Sequence, residues 1–251
     1  MERPLERRTA ARTAVVWDAV RAHLEGTGEQ QILDIGGGTG GFAVRLAALG
    51  NRVTVIDPSP DALAALARRA DEEGVADRVT GLQGDLGNLR ELAPEGGADL
   101  VLCHGVLGLL DDPATALQAI ASVLRPDGVL SLLVSQRHAA VLARAMAGHF
   151  TQAIRLLEGP SFKSQPTEHR SSEPRSSEHR FTTEELTGLL EGAGFGIRSS
   201  HGIRVFTDLV PSSLLDLEPG AAASLLELER AVSERPEYLT LASQLHLVAT
   251  R

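Results

Sequence analysis

The sequence predicts an α/β fold: seven strands in one mostly parallel sheet, helices on both faces, the last strand antiparallel. Three observations carry this. Up to about residue 135, strand-length apolar runs alternate with helix-length runs across short loops. The first strand breaks into five glycines and a threonine, ILDIGGGTGGFAVRLA (32–47), before helical spacing resumes. The C-terminal part repeats the alternation as helix, strand, helix and strand.

The strands are expected at ILDIG (32–36), RVTVID (52–57), VTGLQGD (79–85), ADLVLCHG (98–105) and GVLSLLVS (128–135). Most read as apolar runs without a polar face, as strands covered on both sides require. Helices are expected between them at GFAVRLAALG (41–50), PDALAALARRADEEG (60–74) and PATALQAIASVLR (113–125). The second opens on Pro60 and stops at Gly74, and Asp111 or Asp112 can cap the third before Pro113. TTEELTGLLEGAG (182–194) opens with a capping signature and ends at glycine. FGIRSSHGIRVF (195–206) reads as a strand, LLELERAVSE (225–234) as a helix and LASQLHLVATR (241–251) as the closing strand.

GPSFKSQPTEHRSSEPRSSEHR (159–180) stands apart. It lacks apolar periodicity and holds a short duplication, RSSEP/RSSEH. Lys163, Arg170, Arg175 and Arg180 nearly balance Glu168, Glu173 and Glu178. A surface loop and a substrate lid fit it equally well.

With 251 residues the chain is long enough for a proper core. Its net charge of −9 and aromatic content of 3 % weigh against general nucleic-acid binding, which needs cations for phosphates and rings for bases. No apolar run reaches membrane-spanning length. The start, MERPLERRTAARTAVVW, lacks a secretory core, and the single Cys103 can form no internal disulfide. A cytoplasmic location is therefore expected.

The glycine break asks for a ligand that approaches the backbone closely, beside unpaired N–H groups at a helix start. Two registers fit. Gly36, Gly38 and Gly41 spell the dinucleotide pattern G-x-G-x-x-G. Asp34, Gly36, Gly38 and Gly40 spell D-x-G-x-G-x-G, the S-adenosylmethionine version. Asp57, ending the second strand before Pro58, suits an adenosine ribose in either case. Asp85 and Leu86 suit an adenine ring, and VLRPDGVLSLLV (123–134) ends a helix in a Pro-Asp-Gly turn. These two features favour the second register because they resemble what methyltransferases with a seven-stranded sheet carry at the same places.

With these motifs the first 135 residues resemble the class I S-adenosylmethionine-dependent methyltransferases, which implies a Rossmann-like sheet and S-adenosyl-L-methionine as cofactor. The turn is similar to that class's L-x-P-G-G-x-L, with Asp127 in place of one glycine. Further segments (98–113, 128–150, 202–210 and 225–251) are similar to the bacterial tRNA carboxymethoxyuridine methyltransferases, which methylate the carboxylate of a modified wobble uridine. They include the tail Arg235, Pro236, Tyr238, Thr240 and Leu241. The resemblance implies that Arg12 binds the methionine carboxylate and that Gly36 and Gly37 line the loop. It also implies that Asp57 holds the ribose, Asp85 and Leu86 the adenine region, and that His104 faces the cofactor. By residue type alone, Arg12 also fits, less well, a surface arginine, and His104 fits a core histidine equally well. Two departures fall where substrate enters. The family's basic run is replaced by the near-neutral insertion, and SQRHA (135–139) keeps only His138 of a Y-N-x-H pattern.

The chain is thus expected to be one methyltransferase domain over 1–251. Its parts are an N-terminal helical cap (1–30), a cofactor-binding core (31–135), a helix with a flexible substrate-side insertion (136–180) and the C-terminal half of the sheet (181–251). The expected reaction is in-line methyl transfer to an oxygen acceptor, either tRNA or a small molecule, with no metal and no membrane. Alternatives are a non-catalytic cofactor-binding protein and, through the loop overlap, a NAD-dependent oxidoreductase. His104 and His138 are the candidate catalytic residues. Arg137, Arg198 and Arg204 lie near predicted strand ends, where an anionic substrate can be held, although each taken singly reads better as a solvated surface arginine.

Overall fold

The computed structural model describes residues 4–158, 179–215 and 220–251. Most of the insertion expected at 159–180 lies outside the described residues.

The chain runs α1 (Pro4–Leu24), β1 (Gln31–Ile35), α2 (Ala43–Ala48), β2 (Arg52–Asp57), α3 (Pro60–Glu72), β3 (Val79–Gln83), α4 (Leu89–Leu92), β4 (Ala98–His104) and α5 (Pro113–Val123). It continues through β5 (Leu124–Ser135), α6 (Arg137–Met146), α7 (Phe150–Glu158), α8 (Thr183–Gly192), β6 (Gly196–Ile203), α9 (Ser212–Leu215), α10 (Ala221–Val232), α11 (Pro236–Leu239) and β7 (Gln244–Thr250). The expected starts are explained by their caps. Ser59 accepts the Ala62 N–H at α3, Asp112 accepts the Thr115 N–H at α5, and Thr182 and Glu185 form a reciprocal box at α8.

The seven strands form one sheet in the order β3-β2-β1-β4-β5-β7-β6. β7 is antiparallel to both β5 and β6, so only the last strand runs against the rest. The chain winds outward from β1 to β3, then returns to place β4 on the other side of β1. This reversal opens a crevice at the carboxyl ends of β1 and β4, the usual ligand position in such sheets.

Apolar side chains fill both faces. Leu117 and Ile120 of α5 and Leu186 and Leu190 of α8 close one face over Leu130, Leu132 and Leu247. Val20 of α1, Leu46 of α2 and Leu66 of α3 close the other over Leu100 and Leu102. Val15 and Val16 of α1 extend that second layer onto Ile203 and Leu133.

The start of β5 differs from the sequence reading. The Pro-Asp-Gly turn lies inside β5, as a bulge: Ala98 pairs with Leu124 but Leu100 with Val129. Asp127 takes φ +62° there. Aspartate tolerates this left-handed conformation better than most residues, which accounts for a family glycine being replaceable at this position.

Candidate functional site

The crevice is built from the turn after β1. Gly36, Gly38 and Gly40 all have positive φ, at +70°, +55° and +79°. A Cβ on Gly36 would meet Val106 Cγ2 at 2.4 Å, and one on Gly40 would meet Leu66 Cδ1 at 2.2 Å. Gly41 has neither a positive φ nor any atom within 4 Å of its absent Cβ. The geometric demand for glycine therefore follows the 36-38-40 register and not the one ending at Gly41. Gly37 covers Asp34 so closely that a Cβ would lie 2.5 Å from Asp34 Oδ2.

Two carboxylates support this turn. Asp57, at the end of β2, accepts the Gly38 N–H on Oδ2 at 2.9 Å and the Ser59 N–H on Oδ1 at 2.9 Å. Both oxygens keep further lone pairs, held rigidly at the strand end. Asp34 is buried beneath the loop. Burial, aided by the nearby Asp57 charge, pushes its carboxyl up to about 7.

The remaining sequence-predicted residues take different places. Pro58 is exposed, and its carbonyl accepts from Gln83 Nε2. Asp85 is exposed and accepts the Gly87 N–H at 2.7 Å, capping the turn after β3. Leu86 packs into the core beneath that turn. Arg12 lies within α1, but its side chain is outside the described residues. His138 is exposed on the first turn of α6.

His104 ends β4 beside the glycine turn, since Ile35 pairs with Cys103. Its ring meets Phe42 edge-on at 5.1 Å, and Phe42 in turn meets Trp17 of α1 at 5.9 Å. Arg45 lies 3.6 Å over the Trp17 ring. His104 Nε2 bonds Ser131 Oγ at 2.9 Å, and Ser131 Oγ bonds His246 Nε2 at 2.8 Å. Burial lowers His104 to about 4, so the ring is neutral at pH 7. Neighbouring Cys103 is buried and pushed up to about 12, an inert thiol.

Beyond the carboxyl end of β5 lies a cleft of about 480 Å³ lined by Ser135, Ala139, Arg144, Arg180, Arg204 and Asp208, among others. Three guanidiniums face one carboxylate there. Of the three arginines placed near strand ends by the sequence, only Arg204 lines this cleft, with its Nε donating to Asp208 at 3.1 Å. Arg137 is 7 % exposed and donates to both Glu185 oxygens at 2.8 and 2.7 Å, so it ties α6 to α8. Arg198 sits near the start of β6, at the opposite end of the strands from the cleft, and donates to Thr250.

Sequence reading missed Ser131, His201, His246, Arg144 and Arg180. Histidines at inward-facing strand positions were the available signal. No group among the described residues is arranged to hold a metal ion, and no described helix is long and apolar enough to cross a membrane.

Comparison with known proteins agrees with this geometry. The methyltransferase domain family matches residues 33–130. The chain is 29 % identical to the tRNA 5-carboxymethoxyuridine methyltransferase of Escherichia coli K12, over 96 % of this chain and 88 % of that protein. It is 34 % identical to a ubiquinone biosynthesis O-methyltransferase of Xanthomonas axonopodis, over 51 % of this chain and 52 % of that protein. An S-adenosylmethionine-dependent methyltransferase from Mesorhizobium loti superposes with a TM-score of 0.60 at 19 % identity, covering 96 % of this chain and all of that one.

Proposed function

We propose that this chain, which is similar to S-adenosylmethionine-dependent methyltransferases, transfers a methyl group to an oxygen of an anionic acceptor. The leading candidate is the carboxylate of a modified tRNA wobble uridine. The observation that carries the anionic acceptor is the arginine-lined cleft beyond β5. The tRNA substrate rests on likeness to the E. coli enzyme over 96 % of this chain.

S-adenosylmethionine, when bound, supplies an electrophilic methyl group on a sulfonium. The protein's part is to hold and to aim. Gly36, Gly38 and Gly40 bring backbone close to the ligand, Asp57 accepts ribose hydroxyls, and Asp85 takes the adenine side with Leu86 supporting the turn. The family resemblance assigns the methionine carboxylate to Arg12, and Asp34 braces the loop from beneath Gly37. Orientation of this kind is worth roughly 7–11 kcal/mol of barrier.

A carboxylate acceptor is already ionised and needs no general base. That matches a half-buried His104 too weakly basic to collect a proton at neutral pH. His138 remains as a positioning candidate at the mouth of α6.

A second reading has its own support. The net charge of −9 weighs against a polyanionic tRNA, and a cleft of about 480 Å³ with arginines in its lining suits a small anionic molecule. One experiment separates the two. The chain is incubated with methyl-labelled cofactor and tRNA carrying unmethylated carboxymethoxyuridine. Label entering the tRNA as a base-labile ester supports the first reading. No label in properly modified tRNA, with label entering small carboxylic acids, overturns it in favour of the second.

A further inference from the structure

A hydrogen-bonded chain crosses four strands on the face covered by α1. It starts at His104 on β4 and passes through Ser131 on β5 to His246 on β7, with contacts of 2.9 and 2.8 Å. His246 Nδ1 then meets His201 Nδ1 on β6 at 3.2 Å, and His201 Nε2 meets Glu234 Oε1 at 3.4 Å. His246 and Ser131 are 0 % and 1 % exposed, whereas the Glu234 side chain is 76 % exposed. The chain thus links the crevice to the surface.

Its polarity follows from which end can only accept. A carboxylate can only accept, so the 3.4 Å contact with Glu234 selects hydrogen on His201 Nε2, against the pull of the His246 backbone on the other ring nitrogen. In a neutral ring His201 Nδ1 is then an acceptor, and His246 must donate from Nδ1. His246 Nε2 accepts the Ser131 hydroxyl, and the Ser131 oxygen accepts the His104 Nε2 hydrogen. His104 is left with an unprotonated Nδ1. Every fully buried side-chain nitrogen and oxygen among the described residues has a hydrogen-bond partner. His104 Nδ1 makes no such bond within the described chain, so it lies at an accessible surface, beside Phe42 and the glycine turn.

We infer that Glu234 fixes the tautomer of His104 through His201, His246 and Ser131, so that the ring presents a hydrogen-bond acceptor to the ligand in the crevice. The ligand group it takes is a donor, such as an ammonium or a hydroxyl of the bound cofactor. Ser131, His246, His201 and Glu234 are positioning residues in this scheme. The inference rests on the crevice being the cofactor site.

Nitrogen NMR of the full chain labelled at histidine reads each ring nitrogen directly. The expected pattern is hydrogen on Nε2 of His104 and His201 and on Nδ1 of His246. Glu234→Ala changes only an exposed residue, and it should turn the His104 signal into a mixture of tautomers. Ser131→Ala should do the same at His104 while leaving His201 unchanged. Saturation with S-adenosylhomocysteine should move His104 Nδ1 toward a hydrogen-bonded position in the wild type. Hydrogen on His104 Nδ1 in the wild type, or an unaltered His104 in both variants, overturns the inference. A bound ligand that leaves His104 Nδ1 unmoved overturns its ligand-facing half. Failure of the ligand to bind contradicts the methyltransferase reading instead, because the tautomer pattern is measured without it.

Discussion

Gly40 and Gly41 are neighbours with the same absent side chain, yet the structure asks opposite things of them. Gly40 needs its φ of +79° and the space filled by Leu66, while Gly41 needs neither. Gly40→Ala should cost about 1–2 kcal/mol in backbone strain alone and weaken cofactor binding. Gly41→Ala should stay within about 0.5 kcal/mol of wild type. Thermal unfolding of the two variants checks this. Asp34 offers a test by pH. Its folded value of about 7 lies above the ordinary 3.8, so the folded protein holds a proton that the unfolded chain has released. Its stabilising contribution is complete below about pH 4 and lost as pH rises to about 7. His104, lowered to about 4, acts in the opposite sense, losing stability as pH falls below its ordinary 6.5. The difference in melting temperature between wild type and Asp34→Asn isolates the first effect. It should shift against wild type from pH 4 to pH 7 and then level off.

At the scale of elements, two loops are held by single residues. Glu229 of α10 is 3 % exposed, and its carboxylate accepts the N–H groups of Val205, Phe206 and Thr207 at 2.9, 2.9 and 2.7 Å. It therefore anchors the turn after β6 that carries Arg204 into the cleft. Glu229→Ala leaves three donors unpaired and should destabilise by roughly 3 kcal/mol or more. Acceptor affinity should fall with it, read by denaturant unfolding and by KM. The bulge in β5 makes the reverse demand. Asp127→Gly should be neutral or slightly stabilising at φ +62°, whereas Asp127→Val should lose about 1–2 kcal/mol. Equal melting temperatures for these two variants would contradict the bulge geometry.

Across the whole molecule, what the sequence made legible was local. Apolar alternation marked each strand of the sheet, and caps at Ser59, Asp112 and Thr182 marked helix starts within a residue or two. The glycine turn and Asp57 were also readable, because close backbone approach leaves a pattern in consecutive residues. The histidine chain was not. His104 and Ser131 are 27 positions apart, and Ser131 and His246 are 115 apart. The first two meet across β4 and β5, and His246 and His201 join them only because β7 inserts between β5 and β6. The cleft arginines were hidden for the same reason: Arg144, Arg180 and Arg204 come from three separate segments. Arg137 misled because its position at a strand end resembles a site, while its partner Glu185 lies 48 residues away.

The central claim is that the turn after β1 and Asp57 form a site for S-adenosylmethionine. Calorimetric titration with S-adenosylhomocysteine tests it most directly, in wild type and Asp57→Ala, with NAD titrated in parallel. The account predicts micromolar binding to wild type, loss of that binding in the variant and no heat from NAD. Binding of NAD to the wild type, or binding of S-adenosylhomocysteine that survives the loss of Asp57 unchanged, would contradict it.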